Sequence, residues 1–153
     1  MNTVFYTTYE LTKKNVPQIN SLFFRFESFG DIQNTTQVKN YATIARANKH
    51  CSFVLWTKNP WIIKMAIAEG LTLPKNFRVI YSLPKVNQAV SNDLFREIRS
   101  EWSFVSKIFA VYDKKTVTEQ HININCGARS CMSCRKCYDT ANRVKLIREQ
   151  KKG

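Results

Sequence analysis

The chain has 153 residues, of which 44% are hydrophobic and 12% aromatic, with four Gly and four Pro; this excludes a disordered or fibrous class and gives length enough for one domain with its own core. Its 24 Lys and Arg against 11 Asp and Glu leave a net charge of +13, which attracts polyanions and excludes mimicry of DNA, since mimicry needs an acidic face. The first ten residues lack a basic region followed by an apolar one, and no apolar run approaches a membrane span, so a soluble, unexported chain is expected.

In chain order, residues 3–9 are rich in β-formers and predict a first strand, followed by a polar segment that Pro17 interrupts. Residues 22–26 read as a buried strand that ends at Phe29-Gly30-Asp31, where Gly permits the turn. Asn34 to Thr36 supply a helix cap, and Val38, Tyr41, Ala42 and Ala45 recur at helical spacing as far as Asn48. A strand follows over 52–56, then a helix with Asn59 as cap and Pro60 in first place, ending at Gly70, with Ile63, Ala66 and Ile67 as its apolar stripe.

Residues 77–82 form the next predicted strand, stopped by Pro84, and Val86, Val90, Leu94 and Ile98 predict a helix that runs to Ser100. A strand over 106–112 is closed by Asp113, residues 116–125 are weakly β, and Val144, Leu146 and Ile147 predict a basic terminal helix over 138–150. Alternating strands and helices with short connections predict an α/β fold with a mainly parallel, open or partial-barrel sheet. Residues 1–120 would be the α/β core, and 121–153 a basic segment within the same compact domain.

That segment carries the sharpest motif. Cys126, Cys131, Cys134 and Cys137 place four of the five cysteines inside twelve residues. Loops that short make poor disulfide frameworks, whereas four thiolates suit a tetrahedral structural Zn²⁺ site with no open coordination position. The first three cysteines, Cys126, Cys131 and Cys134, also match an iron-sulfur pattern whose fourth ligand lies far downstream, so a cluster is the second choice. His121 is either a substitute ligand or an ordinary surface or strand histidine. Residues 121–153 hold eight basic side chains against two acidic ones. Arg129, Arg135 and Lys136, lying between or beside the thiols, would offset the charge of a zinc tetrathiolate or, with Arg143, Lys145 and Arg148, face a protein or nucleic-acid partner.

Other chemistry is sparse. His50-Cys51 reads as a core thiol next to an unrelated histidine, because neighbours at a strand start point to opposite faces. Ligands of parallel sheets bind beyond the strands' carboxyl ends, which makes Asp31, Lys58, Ser82 and Asp113 either a remnant strand-end site or ordinary capping groups. No Gly-rich phosphate loop or hydrolase triad order is present in the sequence, so a non-enzyme is expected.

The stretches Phe24-Arg-Phe-Glu-Ser-Phe-Gly30-Asp31-Ile32, Phe53-Val-Leu-Trp-Thr57-Lys58, Gly70-Leu-Thr-Leu-Pro74-Lys-Asn76-Phe77 and Ser82 resemble successive motifs of the phage gene product 88 family. Residues 126–138 are similar to that family's closing cysteine motif, so the resemblance runs over about residues 22–138. It implies a barrel-like α/β organisation, a phage or prophage origin and a bacterial host cytoplasm. Full-length members carry a further cysteine motif near the N-terminus, whereas the first cysteine here is Cys51. The resemblance therefore implies a shortened relative without the front cofactor site and without the ancestral activity. In general type the chain is also similar to zinc-containing anti-CRISPR proteins of the type II-A inhibitor class. That likeness implies a type II RNA-guided nuclease, or its RNA-bound form, as partner; the alternatives are a basic nucleic-acid-binding module and an iron-sulfur enzyme remnant.

Overall fold

The computed structural model describes residues 9–28, 30–127, 129–139 and 143–153. The strand expected over 3–9 lies outside them except for Tyr9. The described residues form an α/β fold with strands β1 (Phe23–Phe26), β2 (Ser52–Thr57), β3 (Phe77–Ser82), β4 (Val105–Tyr112) and β5 (Leu146–Gln150). Between them lie helices α1 (Thr35–Ala47), α2 (Pro60–Ala68), α3 (Asn92–Glu101), α4 (Lys114–Glu119) and the single turn α5 (Cys131–Cys134). Strand order follows chain order, β1-β2-β3-β4-β5. The pairs β1–β2, β3–β4 and β4–β5 are all parallel, as the alternating pattern predicts. No helix among the described residues is long and apolar enough to cross a membrane. The chain forms two compact units, Met1–Arg78 and Val79–Gly153.

The first unit is built round an aromatic stack. Phe26 lies parallel to Tyr41 at 4.1 Å and to Phe53 at 5.2 Å, and meets Phe77 edge-on at 5.5 Å. Each ring buries a large apolar area and gains from its orientation. The stripe expected on α1 faces this stack, with Val38, Tyr41, Ala42 and Ala45 buried, and Asn34 caps the helix by accepting from the Gln37 N–H. Two asparagines then fix the exit from α1. Asn48 donates its amide to the Ile44 and Pro17 carbonyls at 2.8 and 3.0 Å. Asn76 donates to the carbonyls of Ala45, Asn48 and Cys51 at 2.9, 3.2 and 2.9 Å, closing the chain between α1 and β2.

Three expectations for this unit change in detail. β1 begins at Phe23, and Leu22 is exposed. Asn59 makes no side-chain cap for α2; its amide reaches the Ile32 carbonyl at 3.2 Å, and Pro60 alone sets the helix start. On α2 the buried positions are Ile62, Ile63 and Ala66, while Ile67 turns outward and is 38% exposed.

The second unit holds a core of Leu83, Phe95, Ile98, Val105, Ile108, Ala110 and Tyr112. Here α3 is shorter than the apolar stripe predicts, because the helix begins only after Ser91, which caps the Leu94 N–H at 3.1 Å, and Val86 is 49% exposed. The cause is Asn87. It sits at a left-handed φ of 65° and donates its N–H to the Val111 carbonyl at 2.9 Å, tying the loop to β4 before a helix can start. Residues 116–119, expected to open a weakly β segment over 116–125, lie instead in helix α4, started by Asp113 accepting from the Thr116 N–H.

The largest correction concerns the C-terminus. The predicted helix over 138–150 is replaced by β5, which runs parallel to β4 with Ile108 opposite Leu146 and Tyr112 opposite Gln150. An unpaired edge of β4 would leave a row of buried donors and acceptors, and pairing it outweighs the weak local helix preference of this basic stretch. Ile147 buries its side chain from the new strand.

We expect Asn76→Ala to remove three clamping bonds and destabilise the fold by about 1–3 kcal/mol, a value that urea titration measures directly.

Candidate metal centre and basic cleft

Cys126 is placed by β5. The Asn125 side chain imitates a strand: its amide donates to the Leu146 carbonyl at 2.9 Å and its carbonyl accepts from the Arg148 N–H at 2.8 Å. The main-chain N–H groups of Asn125 and Cys126 both donate to the Arg148 carbonyl at 3.1 Å, and Cys126 forms a parallel bridge with Glu149. Gly127, at φ 101°, turns the chain away, a conformation that suits glycine. Ser130 then caps α5, which sets Cys131 and Cys134 one turn apart on the same side. Arg135, left-handed at φ 56°, ends that turn by donating its N–H to the Cys131 carbonyl at 2.9 Å. Beyond it Tyr138 is buried next to Cys137 in the chain.

All four thiols are free; Cys131 is exposed and the others are half-buried. Burial pushes the Cys137 thiol up to about 12, and Cys126, Cys131 and Cys134 push it the same way while Lys107 pulls against them. Cys126 is raised by burial first, then by Glu149, Cys134 and Cys131, with Lys136 opposing. The thiols thus lie within one another's field, so that without a cation each disfavours a thiolate on the next. A soft dication reverses that balance, and four such sulfurs are the donor chemistry it selects. The side chains do not already stand in a cage: among the described residues, no group of three or more His, Cys, Asp or Glu has metal-holding geometry. The donor set fits a thiophilic ion in chemistry. His121 is exposed, in a left-handed turn at φ 49° just past α4.

A cleft of about 590 Å³ opens beside these sulfurs, lined by Cys126, Cys134, Arg129, Lys136 and Lys152 among others. Of the six basic residues singled out in the sequence, Arg129 and Lys136 line it. Lys136 also donates to the Asn125 carbonyl, so one cation braces the clamp on β5. Arg135 turns back to the Met132 carbonyl at 2.9 Å. Lys145 and Arg143 are exposed ahead of β5, and Arg148 lies within that strand. Lys152 had no motif to announce it; only the pairing of β5 brings it to the cleft.

The strand-end residues divide between the two units. In the first, Asp31 accepts from the Thr57 hydroxyl at 2.5 Å, the Lys58 backbone N–H at 2.8 Å and the Ile32 N–H at 2.8 Å. It holds the Lys58 main chain, which is a capping role. Sequence reading passed over its neighbour Glu27, which follows β1 at a left-handed φ of 53° and accepts from the Tyr41 hydroxyl and the Gln37 amide. A Cβ on Gly30 would come within 2.8 Å of the second Glu27 carboxylate oxygen, so glycine at that position leaves the carboxylate room. Cys51, buried as expected, has its thiol raised to about 11 by burial, while exposed His50 bonds to the Ile19 carbonyl at 2.6 Å. That geometry contains no nucleophile and base pair.

In the second unit Ser82 ends β3 half-buried. Asp113 accepts from the Thr116 N–H at 2.7 Å and the Asn87 amide at 2.6 Å, and these bonds, the Thr116 one first, hold its carboxyl below the ordinary 3.8. A depressed folded value stabilises the fold above the ordinary value and loses that contribution as pH falls through the folded one. Wild type should therefore exceed Asp113→Asn in urea midpoint at pH 7, and the gap should close as pH is taken below 3.8.

Compared with known families, the chain matches the gene product 88 family over residues 6–153, beyond the span of about residues 22–138 that the short motifs cover. No curated protein and no solved structure matches it. A match over nearly the whole length places the chain in the gene product 88 family, a phage gene-product family.

Proposed function

We propose that the chain is a non-catalytic phage protein, stapled by Zn²⁺ on Cys126, Cys131, Cys134 and Cys137, that inhibits a bacterial host's RNA-guided nuclease. The proposed partner is a type II enzyme in its RNA-bound form, blocked in DNA loading or cleavage in the manner of an anti-CRISPR protein. The observation that carries this reading is the convergence of Arg129, Lys136 and Lys152 on one cleft beside Cys126 and Cys134. On this reading the staple and the cationic contact surface would be parts of one structure. A net charge of +13 directs that surface to a polyanion such as guide RNA. A closed four-thiolate site holds structure and leaves no position for substrate, and the reducing host cytoplasm keeps the thiols available.

The cleft equally favours a second reading, a general nucleic-acid-binding module that needs no nuclease. The two part on salt and on target. Module binding to free RNA or DNA falls steeply with salt. An inhibitor co-purifies with the nuclease and abolishes target cleavage in vitro, and full cleavage at excess protein would refute it. An iron-sulfur enzyme remnant is the third reading, which a colourless protein with one zinc per chain on elemental analysis would exclude.

The clamp of Asn125 and Cys126 on β5 ties the metal segment to the sheet. We therefore expect Cys131→Ser and Cys134→Ser, or chelation of the zinc-loaded protein, to raise amide exchange over residues 121–139 and in β5. Exchange in α1 and β2 should stay slow; its collapse would show that the metal holds the whole fold.

A further inference from the structure

In the second unit the Gln88 side-chain oxygen and the Trp102 indole N–H are buried without a hydrogen-bond partner among the described residues, and both side chains line one cavity. An acceptor and a donor shut off from water cost free energy unless something fills them. The cavity has a volume of about 210 Å³, and Tyr81, Leu94, Glu97 and Glu101 also line it. It shares no lining residue with the basic cleft. Its parts are held in place. The Tyr112 hydroxyl donates to the Gln88 carbonyl at 2.9 Å and the Asn87 N–H to the Val111 carbonyl at 2.9 Å, so β4 fixes the loop that carries the amide. Trp102 follows α3 directly, donates its backbone N–H to the Ile98 carbonyl at 2.8 Å, and meets the Tyr81 ring edge-on at 5.4 Å.

The rim is acidic where local physics argues against it. Glu97 and Glu101 stand four residues apart toward the C-terminal end of α3, exposed, and their carboxylates have neither hydrogen bond nor ion pair among the described residues. Like charges at that spacing repel, and both oppose the negative end of the helix dipole. The arginines of the helix are engaged elsewhere: Arg96 pairs with Asp93, and Arg99 donates to the Ser103 carbonyl at 3.0 Å. In a chain of net charge +13, an unpaired acidic pair over an aromatic cavity selects a cation.

Size narrows the class further. The cavity falls below the roughly 300–1,000 Å³ of sites for drug-sized ligands and cofactors, and carboxylates at the rim repel phosphates, which excludes a nucleotide. A planar guanidinium meets what the site offers, because it stacks on aromatic rings while its several N–H groups reach an amide oxygen and carboxylates together. The Trp102 N–H is then left for a carbonyl on the same ligand. We propose that this cavity binds a ligand carrying a guanidinium on an alkyl stem with a carbonyl beside it, either a free guanidino compound or an arginine of another protein. The site stands whether or not the four cysteines hold a metal.

The test follows the Trp102 indole N–H by proton–nitrogen NMR of the full-length protein as γ-guanidinobutyramide is added. A saturable shift of that signal is expected, and γ-ureidobutyramide, the uncharged counterpart, should bind at least about tenfold more weakly because its hydrogen bonds are not charge-assisted. Gln88→Leu should weaken binding at least about tenfold and leave the ligand-free Tm at or above that of wild type, since it removes an unpaired buried acceptor. Glu97→Gln combined with Glu101→Gln should weaken binding about two- to fivefold, the scale of exposed ion pairs. The two sources separate on the same signal: tighter binding of the capped peptide acetyl-Gly-Arg-Gly-amide assigns a partner's arginine, and tighter binding of γ-guanidinobutyramide a free compound. Equal affinity for the charged and uncharged amides would overturn the proposal, as would a lowered Tm with unchanged binding in Gln88→Leu. Absence of a saturable shift with both γ-guanidinobutyramide and the peptide would overturn it as well and leave the two buried atoms to water. The comparisons among probes use wild type alone and so hold even where a variant does not fold.

Discussion

The C-terminal half of this protein depends on how the outer edge of β5 is satisfied. β5 completes β4 on one side, and on its other side an ordinary sheet would need another strand or exposure to water. Asn125 supplies the substitute: one side chain donates to the Leu146 carbonyl and accepts from the Arg148 N–H, as a neighbouring backbone would. Because the next residue is Cys126, pairing the edge also fixes the first thiol of the cluster. Sheet and cysteine segment thus share one set of hydrogen bonds, and the cleft with Arg129, Lys136 and Lys152 forms where they meet.

This coupling explains what could be read from the sequence and what could not. β2, β3, β4 and α1 are continuous or periodic apolar runs bounded by Asn, Pro or Asp, and their positions follow from local chemistry. β5 is a short strand in a basic stretch whose apolar residues fit helical spacing as well as strand spacing, and only the open edge of β4 decides between them. α3 misled for a related reason. Val86 continues its stripe perfectly, yet the left-handed Asn87 binds the Val111 carbonyl and holds the loop away from helix.

The candidate site divides the same way. Four cysteines in twelve residues are visible in the chain itself, because a metal motif is local. Lys152 is not visible: it looks like a tail charge, and it reaches the cleft only because β5 pairs with β4, a strand distant in sequence. Asp31 is the reverse case, which the sequence left between a remnant strand-end site and an ordinary capping group. Three donors, among them the Lys58 backbone, occupy its carboxylate, which is the capping arrangement. Glu27 was hidden because nothing in its flanking residues announces a left-handed backbone at a glutamate.

The bridge between Cys126 and Glu149 also orders events during synthesis. Residues 126–137 leave the ribosome before residues 146–150, so the thiols precede the strand that positions the first of them. Until β5 lands on β4, Cys126 has no edge to dock on and the segment is an open, basic, thiol-rich loop. In that interval every thiol is open to oxidants and to any thiophilic ion in the cell, and the arrival of β5 leaves Cys126 half-buried while Cys131 stays exposed. The last strand thus acts as the clasp of the site as well as the rim of the sheet.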